Sequence, residues 1–224
     1  MLISILVVGC GPSESEPVAL TEGTITYNVT YPGRTEGGLM DGVLPKEMIM
    51  VFKDDVYTNT ISAAGMFDSK IIVDCKKKTA ILSFHFGPKK IYTVMSAEVP
   101  DSLMHAQFGI PELIPVEGTV MVADFLCKRT FASFDDFEDG PDFEIKYTTD
   151  IKIDHPNWCN QFVGLDAVLL EYELKQYGMR LKMSASTVST EPVDDKEFQI
   201  EENFKLVSVE EMIYQFEEVF VNFQ

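Results

Sequence analysis

From Gly23 onward, apolar and polar residues alternate with period two far more often than at helical spacing. Phe143, Ile145 and Tyr147 alternate with Glu144, Lys146 and Thr148, and Met179, Leu181, Met183 and Ala185 alternate with Arg180, Lys182, Ser184 and Ser186. Successive side chains of a strand point to opposite faces, so each segment predicts a strand with one face in a core and one in water. The same reading covers Thr24–Tyr31, Met48–Phe52, Val56–Ser62, Lys70–Asp74, Ala80–Phe86, Ile91–Ala97, Thr119–Phe134 and Ala167–Leu174. Turns are expected at Asp54-Asp55, Lys76-Lys77-Lys78, Gly87-Pro88, Gly140-Pro141 and Gln176-Tyr177-Gly178. Connections this short imply antiparallel neighbours.

Two segments break the meander. Glu98–Gly118 holds three prolines among scattered apolar residues and reads as a long covering loop. Ser208-Val209-Glu210-Glu211 has the form of a capping box, in which the serine hydroxyl accepts from the backbone N–H three residues on and the glutamate reaches back. Met212, Phe216, Val219, Phe220 and Phe223 then share one helical stripe, which predicts an amphipathic helix near Ser208–Phe220. The expected fold is mainly β (α+β): a curved antiparallel sheet or half-barrel over residues 23–224, with the C-terminal helix packed on its concave face.

The first residues follow another rule. Met1–Val8 is apolar throughout, Gly9 is small, Cys10 follows, and Gly11-Pro12-Ser13-Glu14-Ser15-Glu16-Pro17 is polar and helix-breaking. Val7-Val8-Gly9-Cys10 resembles a lipobox, whose cysteine is acylated and becomes the mature N-terminus. Residues 1–9 are then a signal peptide, Cys10 the lipid attachment site, and 10–22 a lipidated flexible tether. No Lys or Arg precedes Cys10, and nine residues are too few to span a bilayer, so the expected start lies upstream. The competing reading is a short buried strand with a packed thiol. Acyl chains stabilise membrane attachment by about 0.8 kcal/mol per buried CH₂. Gly11 in place of Asp resembles lipoproteins sent to the outer membrane. Glu14 and Glu16 loosely resemble surface-export signals, or serve only as part of a soluble spacer. Either a periplasmic or a surface-exposed position follows.

With 224 residues and 46% hydrophobic composition, the chain can bury one sizeable core. Its formal net charge of −18 opposes a phosphate backbone, so nucleic acid is not an expected partner. Cys75, Cys127 and Cys159 remain after Cys10, an odd number that permits at most one intramolecular bridge. Asp135–Asp142 invites a calcium reading, yet as an EF-hand loop it fails at Phe137 and at Lys146, and a solvated hairpin tip fits better. His85, His105 and His155 lack HExxH spacing. Asp154-His155 has no nucleophile-elbow serine to serve, and Gly37-Gly38 lacks the Lys-Ser/Thr of a phosphate loop. Neither catalysis, a cofactor nor a metal is therefore expected. Trp158 beside Cys159 is a candidate rim or capping aromatic.

Ala123-Asp124-Phe125-Leu126-Cys127-Lys128, the strand Phe143–Ile151, Gly164–Glu173 and Val193–Ile200 with the following Ser208–Glu211 occur in an order and spacing that resemble the GLPGLI-type proteins and related exported lipoproteins of Gram-negative bacteria. Asp166 and Ala167 stand where that family shows Pro and Gly. The resemblance implies a half-barrel like that of the LolA/LolB lipoprotein carriers, with a cavity for acyl chains. Two roles follow as expectations. One is an envelope lipoprotein holding an apolar ligand, a lipid or a hydrophobic segment of a partner. The other is a structural or assembly subunit of an envelope complex with a filled core. An open apolar pocket of ~300 Å³ or more would favour the first.

Overall fold

A computed structural model describes residues 19–34, 42, 44–63, 67–97, 109–134, 142–176 and 179–220. Alternation becomes sheet as the pattern requires. Six strands, β1 (Glu22–Thr30), β2 (Glu47–Lys53), β3 (Val56–Ala63), β4 (Phe67–Asp74), β5 (Thr79–Phe86) and β6 (Lys89–Ser96), form one antiparallel meander. A second runs through β7 (Glu112–Val122), β8 (Phe125–Ser133), β9 (Phe143–Thr148), β10 (Val168–Gln176) and β11 (Met179–Ser189). The two halves join where β1 pairs with β11, and with β12 (Lys205–Leu206) the sheet has the order β12-β6-β5-β4-β3-β2-β1-β11-β10-β9-β8-β7. It does not close on itself, so the architecture is the expected open half-barrel.

That seam demands a particular residue. A Cβ at Gly23 would lie 2.3 Å from the Ser189 carbonyl oxygen and 3.2 Å from Phe52 Cζ, so only glycine lets the β1 and β11 backbones approach there.

Two expectations are corrected. Thr119–Phe134 is not one strand: Ala123 and Asp124 both adopt left-handed conformations, with φ of 46° and 67°. They form the two-residue turn that joins β7 to β8, in the geometry that matches strand twist. Ala123 is not the Gly, Asn or Asp that such turns favour, so the pattern conceals it. Glu98–Gly118 is also not wholly a loop, because β7 begins at Glu112. Its register shifts between Val116 and Val120, where Gly118 at φ 83° supplies the irregular turn. Residues 98–108 lie outside the described part.

The inner face holds two contiguous apolar clusters. Ile25, Tyr27, Met50, Phe52, Tyr57 and Val73 from the first meander meet Leu170, Tyr172, Leu181 and Met183 from the second, with Ile151, Ile153 and Phe162 of the β9–β10 connection. Over the other end lies α1 (Val209–Phe220), whose Met212, Phe216 and Val219 bury against Ala63, Phe67, Phe84 and Ile91. The rings of Phe84 and Phe216 lie 4.3 Å apart. Ser208 Oγ accepts from Glu211 N at 3.2 Å, giving the anticipated cap. Glu211 uses Oε1 to accept from Gln215 Nε2. The Phe220 side chain and Phe223 are not described.

A strap that the pattern did not announce reaches α1. After β11 the chain crosses the outer face: Glu22 Oε1 accepts from Val193 N, Lys53 Nζ donates to Asp195 Oδ1, and Lys90 Nζ donates to Glu201 Oε2. A 3-10 turn (Asp195–Phe198) lies against β3. β12 then pairs parallel to β6, and α1 folds onto the inner face, so the C-terminal segment wraps the β6 edge. An exposed row of ladder groups is thereby shortened.

Candidate functional site at the inner face

Strand β3 shows how the site arises. Tyr57, Asn59 and Ile61 point inward, yet Asn59 is polar. In the row that crosses the sheet through it, Ile25 pairs Met50, Met50 pairs Asn59, Asn59 pairs Ile71 and Ile71 pairs Leu82. An amide amid four apolar neighbours is the informative kind of exception.

Above Asn59 lies a cavity of about 140 Å³. Its walls come from Tyr27, Met50, Tyr57 and Ile71 on one side and Val168, Leu169, Tyr172 and Leu174 of β10 on the other, with Pro156, Asn157, Cys159, Asn160 and Phe162 of the β9–β10 connection as roof. Strands β4 and β10 are five places apart in the sheet. Laid flat, that separation would be ~24 Å at about 4.8 Å per strand, so only strong curvature brings both to one cavity.

The roof is fixed by amide hydrogen bonds. Asn157 is buried, and its Nδ2 donates to the carbonyl oxygens of Leu165 at 2.7 Å and Ala167 at 2.9 Å. Its Oδ1 accepts from Asn160 Nδ2, and Asn160 Oδ1 accepts from Phe162 N. Tyr57 Oη donates to the Pro156 carbonyl at 2.9 Å, tying the roof to β3. Tyr27 Oη donates to the Leu169 carbonyl at 2.8 Å.

Burial sets the chemistry of these walls. It pushes the phenols of Tyr27, Tyr57 and Tyr172 well above their ordinary range. It also pushes the Cys159 thiol up to about 11, although a hydrogen bond with Tyr57 acts in the opposite direction. A thiol so placed stays protonated at neutral pH and is a soft wall, not a nucleophile. Asn59 Oδ1 is buried without a hydrogen-bond partner.

Residues 10–18 of the expected tether, His105, Gly37-Gly38 and residues 135–141 lie outside the described part, whereas its last residues are not a free spacer: Leu20 N donates to the Asp150 carbonyl at 2.9 Å, and Glu22 begins β1. Strands β8 and β9, which flank the acidic run, do pair as a hairpin. His85 sits on the outer face, its Nδ1 3.3 Å from Asp68 Oδ2 and its Nε2 3.1 Å from the Gly87 carbonyl. The structure brings Asp154, His155 and Asp166 together on the surface. The two His155 ring nitrogens face different carboxylates, at 3.7 and 3.5 Å, and all three side chains are exposed. Trp158 packs against the core as a capping aromatic, with Lys78 Nζ 5.8 Å from its ring centroid. Among the described residues no helix is long and apolar enough to cross a membrane.

Sequence reasoning missed Asn59, Tyr27 and Tyr57 as site residues. The available signal was the polar Asn59 at a core-facing position of β3. The roof carried no comparable signal, because its residues meet β10 and β3 only in the folded chain. No family model matches this chain, and no curated protein matches it.

Proposed function

We propose that this protein is a non-enzymatic, lipid-anchored component of the bacterial cell envelope. It holds a small apolar group, either a free ligand or a side chain of a hydrophobic partner segment, within its half-barrel. The observation that supports this reading is the cavity of about 140 Å³ roofed by the β9–β10 connection, which falls short of the ~300 Å³ expected of a pocket for a larger ligand. Pockets for drug-sized ligands run to ~300–1,000 Å³, whereas an apolar cavity of ~150 Å³ takes a single ring. The cavity therefore suits one ring or a short chain, and a full acyl chain is too large. Acylation at Cys10 would supply the anchor, and an outer-membrane position follows from Gly11.

A second reading draws on the coverage of the inner face by α1 and by Ile151, Ile153 and Phe162. On that reading the core is filled by the chain itself, and the protein serves as an assembly subunit. Native mass spectrometry of protein from its own host, before and after delipidation, separates the two. A small co-purifying mass beyond the N-terminal lipid supports the binding role, and its absence in every preparation supports the assembly role. Palmitate labelling that persists in Cys10→Ala would refute the anchor. Protease shaving of intact cells then distinguishes surface exposure from a periplasmic position.

A further inference from the structure

We infer that the cavity takes a neutral, ring-sized molecule bearing an acceptor oxygen, such as a ketone, and that Asn59 Nδ2 and Tyr172 Oη are the donors offered to it. This rests on the cavity reading above and names its ligand class. Several donors of the wall are engaged within the protein. Tyr27 and Tyr57 donate to the Leu169 and Pro156 carbonyls, and Asn157 Nδ2 donates to those of Leu165 and Ala167. Asn59 Nδ2 on β3 and Tyr172 Oη on β10 have no partner among the described residues. Both atoms retain accessible surface, whereas Asn59 Oδ1 is fully buried. Tyr172 is only 8% exposed and lines the cavity, so the surface its hydroxyl keeps is cavity surface. Burial raises its phenol further above neutrality, which keeps the proton in place for donation.

Leucine at position 59 or phenylalanine at position 172 would pack the inner face without a polar group to satisfy. Solvent entering the cavity hydrogen-bonds these donors, and a ligand that displaces it keeps its affinity only by replacing those bonds. A carbonyl oxygen, with two lone pairs, does so. No charged side chain lines the cavity among the described residues. A carboxylate would therefore enter without a counterion, which selects the neutral acceptor. The volume of about 140 Å³ holds one ring, against the aromatic walls of Tyr27, Tyr57 and Phe162.

The test uses the full chain and two probes of one shape, cyclopentanone and methylenecyclopentane, in which the carbonyl oxygen is exchanged for CH₂. Chemical-shift titration gives both affinities. Wild type should bind both, with shifts at cavity residues. The ketone-to-alkene affinity ratio should fall about tenfold, the loss of one hydrogen bond, in Asn59→Leu or in Tyr172→Phe, and the variant affected names the donor. A change of cavity shape alone moves both affinities together and leaves the ratio in place. Tyr172→Phe keeps the ring and its edge-on contacts with Tyr27 and Phe162, and Asn59→Ala serves if leucine disturbs folding. An unchanged ratio at both positions overturns the acceptor assignment and leaves the cavity reading intact. Failure of both probes to bind wild type overturns the two together.

Discussion

The hydroxyl of Tyr27 donates to the backbone carbonyl of Leu169 at 2.8 Å, across 142 positions of sequence. Tyr27 lies on β1 and Leu169 on β10, with β11 between them in the sheet. The contact falls where the β10–β9 register shifts between Leu169 and Glu171. A side chain of the first meander thus satisfies a carbonyl beside an irregularity of the second, and the ring packs edge-on to Tyr172 at 6.1 Å.

Tyr27→Phe should keep the fold and remove this bond. Leaving the Leu169 carbonyl buried without its partner costs about 1–2 kcal/mol. A chain of this size should then melt ~3–6 °C lower. An unchanged melting temperature would show that the bond contributes nothing.

The buried phenols predict an alkaline transition. Burial raises the folded-state values of Tyr27, Tyr57 and Tyr172 above the ordinary 10.0, so the neutral form is favoured in the native state. Their contribution is fully present below pH 10.0 and declines as pH rises above it toward the folded-state values. Phenolate absorbance and circular dichroism recorded together should show these tyrosines ionising only as the sheet unfolds. Ionisation of every tyrosine near pH 10 with the native spectrum intact would contradict the burial.

Helix α1 depends on one ring and one cap. Phe216→Ala should cost about 3–5 kcal/mol, because the space beside Phe84 and Phe67 cannot collapse onto a rigid sheet. Ser208→Ala removes the acceptor for Glu211 N and should cost about 1 kcal/mol. Denaturant melts of both variants should preserve this order, and a reversal would mean that the helix is held by its cap more than by its buried stripe.

Gly23→Ala should damage the seam between the meanders. The new methyl meets the Ser189 carbonyl oxygen, a backbone atom that cannot rotate away. A loss of about 1–3 kcal/mol is expected from such overpacking. Gly33→Ala makes a useful contrast, since there the penalty comes from φ 83° alone and no atom lies within 4 Å. Equal stability of Gly23→Ala and wild type would mean that β1 and β11 are further apart than described.

Cys75, Cys127 and Cys159 carry free thiols. Burial pushes all three above their ordinary 9.0, which slows alkylation in the native state. Mass-spectrometric counting after non-reducing denaturation should find three free thiols besides Cys10. A count of one would reveal a bridge that the native geometry does not contain.

Period-two alternation in segments such as Phe143–Tyr147 and Met179–Ala185 was enough to show antiparallel strands, because side-chain direction in a strand is a local property. The Ser208 cap and the Met212, Phe216, Val219 stripe were legible for the same reason: each is written within a few residues. The turn at Ala123-Asp124 was misread from sequence as strand, and the strap over Glu22, Lys53 and Lys90 and the cavity were left undecided. Ala123 takes a left-handed conformation against its own preference because β7 and β8 pair on either side, while Asp124 tolerates one. The strap and the cavity join residues far apart in the chain, and their partners are fixed only when the sheet curls. Asn59 stands at the boundary between the two kinds of information. Its period placed it inward, but only the curvature that brings β10 across from β4 gave it a cavity to face.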